Sequence, residues 1–232
     1  RRLEIEFEAL NLIHKECFGK VPEAIVKDDD LNIGIFEWVD GESIKKPSFN
    51  DLDQAIEFIK QLNLLSKKNN LKNLSEASEA CLSANELLRQ IEMRLSRLYE
   101  ESVDSNALSR FLDHTFCPLW DKTKKESMLQ WPMENRIENL PKEKQTLSAS
   151  DFGFHNCIKT FNGNLIFLDF DYFGWDDPVK VTADFIWHPA MNHSIDFTNK
   201  WIKSMEEIFS SEPCYKDRLK AAIPLYGLRW VL

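Results

Sequence analysis

Apolar residues return at three- and four-residue intervals over most of this chain, a pattern that predicts a mainly helical protein with a few short strands. Leu3, Phe7, Leu10 and Ile13 define a first helix, from residue 1 to about 16. Two strands follow, 22–26 and 32–39, joined by the acidic turn Asp28-Asp29-Asp30. Ser48 and Asn50 are candidate N-caps for a helix over 51–67, with Leu52, Ala55, Ile56, Ile59 and Leu62 on its inner face. The run Lys67-Lys68-Asn69-Asn70 reads as a solvated loop that ends it. A long helix is predicted over 75–101, and another over 105–127 with a kink at Pro118. Residues 131–144 form a polar connection, and the chain closes with helices over 179–187, 196–210 and 215–232.

The period changes between 147 and 185. Strands are predicted over 155–161 and 165–168, separated by Asn162-Gly163-Asn164, and an Asn-Gly turn between apolar runs is a strong hairpin signal. Antiparallel pairing brings the start of the first strand beside the end of the second. Asp151 and Asn156 are therefore expected to meet Asp169. Asp151 and Asn156 form the only Asp-x4-Asn pair in the sequence. A carboxylate able to orient and deprotonate a hydroxyl, beside an Asn oxygen and a second carboxylate suited to Mg²⁺, is the equipment of phosphoryl transfer.

Composition narrows the picture. The 232 residues carry a net charge of −9, which argues against a nucleic-acid partner. No run of about 18 apolar residues suggests a membrane span, and no signal-peptide pattern opens the chain. Five scattered cysteines (Cys17, Cys81, Cys117, Cys157, Cys214) read as reduced thiols of a cytoplasmic protein. His14 and His114 are expected to satisfy local hydrogen bonds. His188 and His193 fall on a loop without metal spacing to any cysteine. Glu206, Glu207 and Glu212 are weighed as lining for an acceptor pocket and as solvated helix faces, with the second favoured. The missing initial Met and the uncapped ends make the chain read as a fragment of a longer protein.

The 147–185 segment resembles the aminoglycoside phosphotransferase and choline kinase family, small-molecule kinases of protein-kinase-like fold. Their loop reads His-Gly-Asp-x4-Asn, followed by a strand with Ile-Asp-Phe/Trp and then Gly-Asp-Pro-x2-Asp-Leu. The matching residues here are Ala149-Ser150-Asp151 with Asn156, then Leu168-Asp169-Phe170-Asp171, then Asp176-Asp177-Pro178 with Asp184. The resemblance implies an α+β fold: a partial N-terminal nucleotide-binding lobe and hinge over 1–41, and a mainly helical C-terminal lobe over 42–232 carrying the catalytic hairpin. It implies ATP or GTP, Mg²⁺ and a small hydroxyl acceptor. Asp151 would be the catalytic base, Asn156 and Asp169 the metal ligands, and Asp177 and Asp184 structural supports. Glu6 would pair with a phosphate-binding Lys upstream of residue 1, or otherwise with Arg2. Backbone groups of Glu37 and Val39 would meet the adenine.

Two motif positions depart from the family. Ala149 replaces the His that braces the loop, and Ser150 replaces the Gly. Asp171 stands where protein kinases have Gly and is either an outer-shell ligand or a solvated charge. With the phosphate-covering loop upstream, the chain alone is expected to be inactive or nearly so. Two alternatives stay open. Phe167-Leu168-Asp169-Phe170-Asp171 superficially fits a haloacid-dehalogenase-type phosphatase, with Asp169 as nucleophile. The absent His and unseen Lys fit a kinase-like module that binds nucleotide or a partner without turnover.

Overall fold

The computed structural model describes residues 2–16, 19–68, 71 and 74–232. Cys17 and Asn69-Asn70 of the expected loop lie outside them. Helix α1 (Arg2–Glu16) buries Ala9, Leu10 and Ile13. Strands β1 (Ala24–Asp28) and β2 (Ile33–Phe36) form an antiparallel hairpin whose turn uses Asn32 at φ +52°. β2 is shorter than expected: its last bond to the partner segment is Glu37 N–H to Glu23 O (2.9 Å), and Pro22 beyond it has no N–H to extend the ladder.

After β3 (Glu42–Ser43), α2 (Phe49–Ser66) opens on a reciprocal cap. The Ser48 hydroxyl accepts from Asp51 N–H (3.2 Å) and the Asp51 carboxylate accepts from Ser48 N–H (2.8 Å). Ser48 alone is the cap, and Asn50 lies in the first turn. Helix α3 (Ala84–Glu101) begins later than the periodicity suggested. Residues 75–77 are drawn into extended pairing instead, with Ala77 N–H donating to Trp175 O (2.9 Å) and Trp175 N–H to Ser75 O (3.0 Å). The approach is so close that a Cβ on Gly174 would collide with the 75–77 backbone.

The expected 105–127 helix is α4 (Asn106–Phe111), a π turn (Leu112–Phe116) and α5 (Cys117–Gln130). The widened turn sits immediately before Pro118, where the missing N–H and the ring would disrupt a regular α-turn.

Strand β4 (Thr146–Ser148) pairs with β7 (Gly174–Asp176), two short strands absent from the sequence reading. Between them lies the expected hairpin, β5 (Cys157–Lys159) and β6 (Leu165–Phe167), with Gly163 at φ +84° in the turn and β3 on its outer edge. Helices α6 (Pro178–Trp187), α7 (Ile195–Ile208) and α8 (Tyr215–Val231) follow. This is the expected α+β architecture. Apart from one isolated Glu76–Trp175 bridge, strand pairing among the described residues is antiparallel. Asp169 therefore follows a strand of a small antiparallel sheet, unlike the parallel α/β setting the phosphatase alternative needs.

An aromatic stack forms the floor of the 149–156 loop. Phe58 of α2 lies 4.4 Å from Phe167 and 5.8 Å from Phe152. Phe152 continues to Phe185 (5.9 Å), which stacks on Trp201 at 3.8 Å. Such pairs add about 0.5–1.5 kcal/mol each beyond the burial of their area. No helix among the described residues is long and apolar enough to cross a membrane. Cys81, Cys117, Cys157 and Cys214 are free thiols, and burial pushes Cys157 up to about 12.

Candidate active site

The loop after β4 alternates its side chains. Phe152 and Phe154 are buried, while Asp151, His155 and Asn156 stay partly accessible on the other side. Asp151 follows Ser150, which takes φ +68°, a left-handed conformation that costs a residue with a Cβ about 1–2 kcal/mol. Three ties hold it there. Ser150 N–H donates to Ser148 Oγ (2.9 Å), Ser150 Oγ donates to Ser78 O (3.0 Å), and Lys180 Nζ approaches Ser150 Oγ at 3.4 Å.

Asn156 and Asp169 meet as the hairpin requires. Leu168 N–H donates to Asn156 O (2.9 Å), and Asp169 follows at φ +63°. Asn156 Nδ2 donates to Asp151 O (3.0 Å) and Asp151 Oδ2 (3.3 Å). This spends its amide on Asp151 and leaves Oδ1 without a protein donor among the described residues.

Glu6, Asp169 and Asp171 form an acidic group beside them. Burial raises Asp169 above the usual carboxylate range, and a hydrogen bond with Asp171 and the charges of Asp171 and Asp151 add to it. Glu6 is raised by burial and then by Asp169 and Asp171, with the Phe170 backbone N–H opposing. Arg2 reaches Asp171 at 3.7 Å, so Asp171 is the residue it pairs with rather than Glu6. Asp171 Oδ1 is buried without a hydrogen-bond partner. Crowded hard oxygen donors with mutual repulsion and an orphaned buried oxygen are what a divalent cation relieves, so Asn156, Asp169 and Asp171 fit Mg²⁺.

Because Glu6 and Asp169 have raised folded-state pKa values, they favour the fold at low pH, and that contribution is lost as pH rises through those values. The same protons compete with a cation. Divalent-cation affinity is expected to fall as pH drops towards those raised values, starting at a higher pH than for carboxylates in the ordinary range. Mn²⁺ titration by proton relaxation across a descending pH series measures this, and an affinity that falls only in the ordinary carboxylate range would contradict it.

His155 and His188, both outside the sequence reading of the site, engage Asp151. His155 Nε2 lies 3.0 Å and His188 Nε2 3.2 Å from Asp151 Oδ1, and the rings stack at 3.9 Å with 2° between planes. Ala190 N–H donates to His188 Nδ1 (3.2 Å), which puts the His188 proton on Nε2, facing Asp151. Although the three ligand atoms cluster, two parallel rings cannot both aim in-plane lone pairs at one ion. The arrangement is a carboxylate held by two imidazoles. Their hydrogen bonds, His155 first, hold Asp151 well below the ordinary carboxylate range.

Asp177 and Asp184 lie at the N-cap and on the buried side of α6. Asp177 caps α6 through Val179 N–H (2.8 Å), and its other oxygen takes Arg218 of α8. Asp184 is buried. It bonds Lys180 (3.1 Å), Trp230 Nε1 (2.9 Å) and Arg229 (3.4 Å), and reaches the loop only through Lys180 and Ser150. Burial works against the Lys180 charge, but Asp176 and Asp184 outweigh it and hold the ammonium firmly charged. The signal for Lys180 lay in the sequence: Asp176, Lys180 and Asp184 recur every four residues, with Lys180 and Asp184 on one face of α6 and Asp176 at the end of β7 just before it. Glu212 is neither pocket lining nor solvated, being buried against Arg218 at 3.0 Å. Glu206 pairs with Lys216 at 2.9 Å on the surface.

Glu37 and Val39 lie in the segment between β2 and β3. The Glu37 N–H is already used by Glu23 O, leaving its carbonyl for any other partner. A pocket of about 420 Å³ opens beside Asp151, walled by Glu79, Arg94, Asp184, His188, Arg229 and Trp230 among others.

No family model and no curated protein sequence matches this chain. Solved structures do. An aminoglycoside phosphotransferase from Alicyclobacillus acidocaldarius superposes with a TM-score of 0.64 at 13% identity, covering 99% of this chain and 71% of its own. APH(2'')-IIa, in a ternary complex with streptomycin and ATP, gives 0.56 at 18% identity, with 95% and 70% covered. Choline kinase from Cryptosporidium parvum gives 0.57 at 13% identity, with 97% and 68% covered. Across nearly all of its length, the chain has the kinase-like fold of aminoglycoside phosphotransferases and choline kinase.

Proposed function

We propose that this chain carries the catalytic centre of a small-molecule kinase, which transfers the γ-phosphoryl group of ATP or GTP to an acceptor hydroxyl. The observation that carries the reading is the meeting of Asp151, Asn156 and Asp169 at one end of the β5–β6 hairpin, at the edge of a pocket. A fold needs none of these three side chains. Residues 1–41 would contribute nucleotide contacts, through the Glu37 carbonyl and the Val39 backbone, and 42–232 the catalytic and acceptor side.

Asp151 would hold the acceptor hydroxyl in line and take its proton as the bond to phosphorus forms. Its Oδ1 is committed to the two imidazoles, so Oδ2 is the atom available to the hydroxyl. A carboxylate this acidic is a weak base, so most of its contribution is orientation. Asn156 and Asp169 would hold Mg²⁺, with Asp171 behind them and Glu6 beside them. Mg²⁺ held by these residues would supply positive charge to offset the charge that develops on the nucleotide phosphates. Asp177 and Asp184 keep α6 and its Lys180 in place under the loop.

The engagement of Asp151 by three donors also fits a module that binds nucleotide without turnover. Both readings stand or fall on the metal. Asp169→Asn is expected to weaken Mg²⁺-dependent nucleotide binding by at least about 10–100-fold, read by fluorescent-nucleotide titration with and without chelator. Unchanged binding would falsify the metal assignment. ADP release by the parent protein with a hydroxyl-compound panel then separates kinase from module.

A further inference from the structure

The pocket beside Asp151 has its charges already settled. Glu79 takes Arg94 and Arg229, each at 2.7 Å, on the same carboxylate oxygen. Asp184 takes Lys180 at 3.1 Å and Arg229 at 3.4 Å. Asp151 is held by two imidazoles. Each of these carboxylates facing the pocket therefore has a partner from this chain, and four cations, Arg2, Arg94, Lys180 and Arg229, line the same pocket. Lys180 and Arg229 are buried to within a few per cent, with side-chain exposures of 2% and 4%.

An acceptor bearing several ammonium groups needs free carboxylates. Here it would have to share Asp184 with Lys180 and Arg229, or Glu79 with Arg94 and Arg229, and so bring more positive charge against cations that already crowd these carboxylates, two of them buried, which is unfavourable. A polyhydroxy compound faces no such conflict. The Arg–carboxylate pairs offer donors and acceptors side by side to neighbouring hydroxyls, and Glu79, which already holds two arginines on one oxygen, keeps the other as a further acceptor. Trp230 and His188, edge to face at 4.6 Å, add an aromatic wall for the C–H face of a ring. The volume of about 420 Å³ lies in the ordinary range for small-molecule sites.

We infer that the acceptor taken by this site is a polyhydroxy compound of carbohydrate or polyol type that carries no positive charge. The overall charge of −9, which on its own is compatible with a cationic acceptor, does not extend into this pocket. The inference deepens the kinase reading and rests on it only in naming the ligand an acceptor.

Binding is measured on the full protein without nucleotide, by saturation-transfer NMR and calorimetry. The probes are glucose, ribose, myo-inositol and glycerol against kanamycin and spermidine. At least one uncharged probe is expected to bind about tenfold tighter than either polycation, an affinity gap of about 1.4 kcal/mol. Arg94→Glu, outside the catalytic loop and partly exposed, is expected to strengthen kanamycin binding about tenfold and leave nucleotide affinity unchanged. A polycation that binds the parent protein tightest, a panel with no uncharged binder, or an Arg94→Glu variant that gains nothing for kanamycin would each overturn the inference. Mg²⁺·ATP binding is titrated separately. Its loss alone removes the kinase reading and leaves the pocket preference standing.

Discussion

In the full-length enzyme, Asp151→Asn is expected to lower turnover by about 10²–10⁴-fold, the usual range for removing a positioned acid–base group. The substitution is nearly isosteric and can keep the local frame. Both imidazoles bond Oδ1, and an Asn carbonyl in that place accepts the same hydrogen bonds. The other position is the sensitive one. There the new amide replaces Oδ2, the oxygen left for the acceptor hydroxyl, and faces the Asn156 amide 3.3 Å away, donor against donor. Nucleotide binding should persist. The Asp151 charge is one of the causes that raise Asp169, so its removal eases the metal site. Steady-state ADP release and a nucleotide titration on the same preparation check both halves. Turnover equal to the parent protein would take Asp151 out of the chemistry.

The second large effect is on stability. Arg218 is buried at 1% side-chain exposure between Asp177 and Glu212, at 2% and 5%. Arg218→Ala leaves two buried carboxylates without their cation, and breaking a buried pair by removing one partner costs about 3–5 kcal/mol. It also frees the Asp177 side chain that caps α6, the helix that carries Lys180 and Asp184. Urea unfolding measures the loss. A triple variant, Arg218→Met with Asp177→Asn and Glu212→Gln, removes the charges together and is expected to recover most of it. A loss below about 1 kcal/mol, the scale of an exposed pair, would mean that Arg218 is not the tie described.

The meeting of Asn156 with Asp169 was legible in the sequence because the two are close in the chain. One Asn-Gly turn fixes the hairpin, and the hairpin alone brings Asn156 to Asp169. Of the partners of Asp151 and Asp184, His155 and Lys180 lie only four residues away, but His188 and Trp230 were not legible because they arrive from afar. His188 follows the whole of α6, and Trp230 ends α8, with no local pattern to announce either. Residues 75–77 carry a helix-compatible sequence, Ser-Glu-Ala, yet pair in extended form with Trp175, a tertiary contact that overrides a weak propensity. Strands β4 and β7 have three residues each, too few for an alternation to register.

The stack of rings from Phe58 through Phe152 and Phe185 to Trp201 has a consequence for how this protein tolerates change. Four segments of chain meet in it, and the loop bearing Asp151 rests directly on top. Volume altered anywhere in that pile is passed upward, since close-packed interiors transmit strain instead of absorbing it. Evolution can therefore adjust the reach and tilt of the upper residues from underneath, trading one ring for another while every group that touches a substrate keeps its identity.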